Sequence, residues 1–138
     1  MSYTRRDTLL IGLGASAAAM LPIGALADVA GDIAAFTGGA AVGEGGITLT
    51  APEIAENGNT VPVEVSAPGA VSILVLAEGN PTPAVATFNF GPLAGAQMAS
   101  TRIRLAKTQK VTAIAKMADG SFVQASSEVK VTIGGCGG

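Results

Sequence analysis

The chain has 138 residues, 49% of them hydrophobic and 13% charged, with 8 basic and 10 acidic groups for a net charge of −2. That length suits one domain with a single core, and without a basic excess there is no reason to expect a nucleic-acid partner. Histidine is absent and cysteine occurs once, which excludes a Ser-His-Asp triad, a Cys–His dyad, a histidine-based zinc site and any intrachain disulfide.

The first predicted element is a leader. Arg5-Arg6 precedes an apolar stretch from Leu9 to Leu26, and Ala25-Leu26-Ala27 places small residues where a signal peptidase reads them. Thr4-Arg5-Arg6-Asp7-Thr8-Leu9-Leu10 resembles the twin-arginine type, with Thr8 where that pattern usually has an aromatic residue. The run is just long enough to anchor in a membrane uncleaved. Its Gly and Ala content, Pro22 and the cleavage site favour removal after Ala27, export to the periplasm and no membrane attachment afterwards. Removing residues 1–27 takes away Arg5, Arg6 and Asp7 and leaves 111 residues with six basic and nine acidic groups, a net charge of −3. In an oxidising compartment the odd cysteine suggests intermolecular pairing or a reactive thiol.

Residues 28–46 read as a flexible lead-in, with Asp32 as N-cap of a short helix over Asp32–Phe36. The glycine-rich run Gly38–Gly46 lacks the Lys-Ser/Thr ending of a phosphate-binding loop, and no strand precedes it.

Strands follow over 47–133. Ile47–Thr50 is the first, and after the Asn57-Gly58-Asn59 turn Val61, Val63 and Val65 share one face. Pro68-Gly69 turns the chain into Val71–Ala77, apolar on both sides and therefore central. Ala84–Phe90 and Met98–Leu105 come next, the latter alternating Ile103 and Leu105 with Arg102 and Arg104. Val111–Met117 leads through Asp119-Gly120, read as a two-residue hairpin turn with φ > 0 at both positions, into Ser121–Ile133. About seven short strands with regularly spaced turns predict an all-β fold, an immunoglobulin-like antiparallel β-sandwich. Arg102, Arg104, Lys107, Lys110 and Lys116 gather in what reads as one hairpin region, a solvated sheet surface in preference to a docking face for an acidic partner.

Beyond Ile133 stands Gly134-Gly135-Cys136-Gly137-Gly138. Three extended residues carry the thiol roughly 10 Å past the last strand, and glycines make a thin, pliant arm over residues 134–138. Apart from Lys130, no cationic side chain lies near enough in sequence to activate the thiol, which without help is only a few per cent thiolate at neutral pH. Cys136 therefore reads as a covalent attachment point worked on by other proteins, with no catalytic residue, cofactor site or metal site in this chain.

This ending, the segment Ala51-Pro52-Glu53-Ile54-Ala55-Glu56-Asn57-Gly58-Asn59-Thr60-Val61-Pro62-Val63 and the leader resemble the SoxY family, sulfur-carrier subunits of the bacterial thiosulfate-oxidising system. The resemblance implies that Cys136 holds sulfur intermediates and that Gly134, Gly135, Gly137 and Gly138 form a swinging arm. It also implies a heterodimer with a SoxZ-like subunit. Transient docking is implied to a haem-containing thiosulfate-ligating enzyme, a manganese-dependent sulfate hydrolase and a molybdenum–haem sulfur dehydrogenase. Two other readings stand beside it. One is an exported structural or adhesion sandwich joined by an intermolecular Cys136 disulfide. The other is a ubiquitin-like carrier using Gly137-Gly138 as a thiocarboxylate, against which the leader and the strand pattern speak.

Overall fold

The computed structural model describes residues 24–133. Their backbone forms helix α1 (Gly24–Thr37) and nine strands: β1 (Val42–Glu44), β2 (Thr48–Thr50), β3 (Ile54–Ala55), β4 (Val61–Ser66), β5 (Ala70–Ala77), β6 (Ala84–Asn89), β7 (Met98–Ile103), β8 (Gln109–Met117) and β9 (Phe122–Val131). Two sheets result, one in the order β1-β9-β8-β5-β6 with β3 also on β9, the other β2-β4-β7. The immunoglobulin-like sandwich is borne out, with two very short strands beyond the seven expected.

The period-2 pattern explains the layers. Val61, Val63 and Val65 of β4 turn inward to meet Ile73, Val75 and Ala77 of β5 and Val111, Ala113 and Ala115 of β8, all buried. Ile103, Leu105 and Val129 complete this core between the sheets. The alternate residues of β5, Leu74 and Leu76, point to the other face, where they form a second buried cluster with Ile114 and Phe122 under Ile33, Phe36 and Val42. Helix α1 is thus the cover that makes β5 apolar on both sides, and β5 lies between β8 and β6 as a buried strand should.

Several expectations are corrected by the fold. The lead-in 28–46 contains most of α1 and all of β1, and Asp32 lies inside the helix, not at its N-cap. The apolar positions Val29, Ile33, Phe36 and the buried Thr37 recur at helical spacing, a period hidden by the alanines and glycines between them. At the helix end Gly38 takes a φ of 66° and its N–H donates to the Ala34 carbonyl at 2.8 Å, so the run that resembled a loop is a helix stop followed by an edge strand.

The sheet is also not wholly antiparallel. β1 and β3 both pair parallel with β9, Val42–Glu44 against Phe122–Gln124 and Ile54–Ala55 against Lys130–Val131. Both follow long connections, which parallel pairing requires.

The Asp119-Gly120 hairpin is not the two-residue form. Gly120 has a φ of 88°, Asp119 does not share the positive sign, and Met117 accepts from Gly120 N–H at 3.0 Å while its own N–H reaches the Ser121 carbonyl at 2.8 Å. This is the three-residue loop with one left-handed glycine. Nor do the basic residues share a hairpin: Arg102 lies in β7, paired with β4, whereas Lys110 and Lys116 lie in β8 of the other sheet. The chain crosses between sheets there, and the solvated-surface reading stands, with Lys110 Nζ 3.9 Å from a Glu78 carboxylate oxygen.

Candidate functional site

The residues singled out for chemistry, Gly134, Gly135, Cys136, Gly137 and Gly138, lie outside the described residues, as does the arginine pair of the leader. What the structure does describe is the ground from which that glycine-cysteine segment departs, and it is built with care for the backbone.

β9 runs two residues beyond the start of its neighbour β8, since Gln109 opposes Val129. Past that point the sheet would leave β9 amides unpaired, and a buried or half-buried amide needs a partner. Side chain and loop supply them. Thr108 Oγ1 accepts the Val131 N–H at 2.9 Å. On the opposite edge the Glu53 carbonyl accepts Lys130 N–H at 2.9 Å and the Ala55 carbonyl accepts Thr132 N–H at 3.0 Å. Gly58 N–H then donates to the Ile133 carbonyl at 2.7 Å, and the Gly58 carbonyl accepts from Leu105 N–H at 2.8 Å. The end of β9 is clasped from both sides up to the last residue before the glycines.

Thr108 is itself held by a polar knot. Gln109 is buried at 7% exposure, its Oε1 accepting Gly79 N–H at 2.9 Å and its Nε2 donating to Asn80 Oδ1 at 2.8 Å and to the Lys107 carbonyl at 2.9 Å. Asn80 in turn accepts Ala106 N–H at 2.9 Å and donates to the Arg104 carbonyl at 2.7 Å. Every polar group of this knot is satisfied, so burying it fixes the 104–109 loop without leaving an orphaned donor.

Beside the clasp a shallow depression of about 360 Å³ is lined by Glu53, Ile54, Ser127, Glu128 and Lys130. A second groove, about 570 Å³, lies over β4 and β7, where Ser100 donates to Glu64 at 3.1 Å and Arg102 to Thr60 Oγ1 at 3.4 Å. Among the described residues, no group of three or more carboxylates or thiols is placed to hold a metal ion. The Ser121 hydroxyl at 2.6 Å, then the Ser121 N–H at 2.9 Å, hold the Asp119 carboxyl below its ordinary value. It belongs to the hairpin loop and not to the clasp.

Of Glu53, Ala55, Gly58 and Thr108, only Gly58 carries a role in the sequence reading, that of a turn residue. Three of them fall in the Ala51–Val63 segment quoted for the resemblance, which marked the stretch but not its work. Their contribution is mostly through backbone carbonyls and amides, to which residue type is nearly blind.

The family profile described as Sulfur oxidation protein SoxY matches residues 33–136. Among solved structures, the sulfur carrier protein SoxY from Chlorobium limicola f thiosulfatophilum is 38% identical, with a TM-score of 0.68 over 78% of this chain and 99% of that one. A superoxide reductase (neelaredoxin) from Ignicoccus hospitalis reaches a TM-score of 0.55 at 21% identity, covering 63% of this chain and 80% of its own; a likeness at that identity shows the sandwich fold alone. No curated protein matches the chain.

Proposed function

Since the chain belongs to the SoxY family of sulfur oxidation proteins, we propose that it is a periplasmic covalent sulfur carrier, with Cys136 as the attachment point. The observation that carries this reading is the sole thiol, three residues past Ile133, where the backbone leaving β9 is clasped. A rigid root and a glycine-flanked thiol suit a cargo that other proteins must reach.

In the proposed cycle a haem enzyme removes two electrons as thiosulfate joins the Cys136 sulfur, releasing one proton and leaving a Cys–S–S–SO3⁻ adduct. Water and a manganese hydrolase then release sulfate and two protons, leaving a persulfide anion. A molybdenum–haem dehydrogenase takes six electrons and six protons as three waters supply oxygen, giving Cys–S–SO3⁻. A final hydrolysis returns the thiol and a second sulfate with one proton. The cofactors belong to those enzymes; this chain supplies the sulfur and its placement. A SoxZ-like subunit completes the carrier as a heterodimer.

Export through Arg5-Arg6 with cleavage after Ala27 fits one feature of α1. The described residues that pack it, Val29, Ile33, Phe36 and Thr37, all follow Ala27, so removal of the leader leaves these four in the chain.

Intact mass of native protein tests the proposal. Adducts of thiosulfate-derived sulfur on Cys136 support it, whereas a doubled mass lost on reduction, or a modified terminal carboxylate, indicates a cross-linked sandwich or a thiocarboxylate carrier. Cys136→Ser should abolish thiosulfate loading with an unchanged Tm; retained turnover in that variant refutes the assignment.

A further inference from the structure

The geometry points to a docking collar around the root of the arm, carried by Ile54 and Ile133, onto which the rim of the enzyme that loads thiosulfate onto Cys136 seats. This rests on the carrier reading above.

Both isoleucines are out of place by the logic of the fold. Ile54 is 62% exposed and Ile133 is 61% exposed, although each sits on backbone pinned by hydrogen bonds. β3 contributes to the core through the small, buried Ala55, and the carbonyls that hold β9 are those of Glu53 and Ala55. Neither bond needs a large apolar side chain at position 54. An exposed isoleucine on a rigid strand does nothing for folding that serine would not do, and rigid, apolar, solvent-facing groups are what a binding partner buries at low entropic cost.

The length of chain between root and thiol then identifies the occupant. Cys136 is three residues beyond Ile133, roughly 10 Å at full extension. Ile54 is in register with Lys130 on the adjoining strand, about 4.8 Å across the sheet and three residues back along it. A pocket deep enough to enclose a sulfur adduct and its catalytic groups has walls of that depth or more, so its rim meets the clasp whenever the thiol is fully inserted. The rim that fits is apolar opposite the two isoleucines and polar around them. Acidic Glu53 and Glu128 and basic Lys130 line the same shallow depression as Ile54, so single-sign steering is not the device.

Other exposed apolar residues provide an internal control. Met98 is 48% exposed and pairs with Ser66 at the far end of β4 from the Val61–Ile103 pair near the clasp, and the fully exposed Leu93 lies in the loop before it. These lie at the opposite end of the sandwich.

The test uses the full mature carrier, with its partner subunit present, and follows haem-enzyme loading of thiosulfate onto Cys136 by adduct mass. Ile54→Ser with Ile133→Ser should raise KM for the carrier about tenfold, the effect of losing a pair of interface anchors, while kcat changes little. Alkylation of Cys136 by iodoacetamide should be unaltered, and Leu93→Ser should load as the parent does. Single Ile54→Ser, which leaves every clasp bond in place, should give a smaller rise in the same direction. An unchanged KM in the double variant, or an equal rise in Leu93→Ser, overturns the collar while the parent still loads. Failure of the parent to load at Cys136 overturns the carrier reading and the collar together.

Discussion

The two ends of β9 are both met by short parallel strands on the same edge, yet they are held in opposite ways. At its start, Phe122 is buried and meets Phe36 edge to face with ring centroids 5.8 Å apart, in a cluster with Leu74, Leu76 and Ile114. At its end, β3 buries little beyond Ala55, and the join consists of backbone hydrogen bonds and one threonine hydroxyl. Apolar burial is strong and tolerant of small shifts, whereas hydrogen bonds are individually weak but directional. The first end secures helix and sheet; the second sets where a chain leaves the fold and along which line.

Phe122→Ala should give the largest effect. Loss of a buried aromatic ring costs about 3–5 kcal/mol, and the measurement is chemical denaturation, with loss of α1 protection in hydrogen exchange. If burial at this end were dispensable, the variant would unfold at the parent's midpoint. Amide protection at Lys130–Thr132 should fall by the global loss alone, since no residue of that cluster makes a hydrogen bond of the clasp.

Next in size is Gln109→Leu. It leaves the Gly79 N–H and part of Asn80 without their partner, at about 1–3 kcal/mol for unsatisfied groups, and it frees the 104–109 loop that carries Thr108. Exchange should rise at Gly79, Ala106 and Val131 together. Exchange confined to Gly79 would show that the knot does not support the clasp.

Thr108→Val keeps shape and removes the acceptor of Val131 N–H. Because that bond is exposed and water can replace the hydroxyl, the global cost should be about 0.5–1.5 kcal/mol or less, while Val131 loses protection selectively. Enzyme-dependent loading of Cys136 should slow more than iodoacetamide modification does; equal slowing would place the effect in thiol chemistry and not in the direction of the arm.

The smallest effect belongs to the hairpin between β8 and β9. Folding lowers the Asp119 pKa, so its contribution is present above the unfolded value and is lost as pH falls through the folded one. In an NMR titration its carboxyl should protonate below the range of an unperturbed aspartate. Ser121→Ala removes the largest cause, the hydroxyl hydrogen bond, and should move that midpoint up toward the ordinary value, leaving the clasp amides undisturbed.

Read from residues alone, the valine alternation of 61–65, the two-sided apolar run of 71–77 and the alternation of 129–133 were sufficient for a sandwich, because a strand's period of two shows which residues share a buried face. Composition was sufficient to exclude histidine chemistry, and the lone Cys136 among glycines pointed to a thiol presented to others. Tertiary structure decided the rest. Only the fold shows that Leu74 and Leu76 are covered by α1, since a helix period carried by Val29, Ile33 and Phe36 is faint when its remaining positions are alanine and glycine. Only the fold brings Glu53, Ala55 and Gly58 to the strand end that Thr108 also holds, because hydrogen bonds made by backbone groups across more than seventy residues of chain leave almost no mark on side-chain identity.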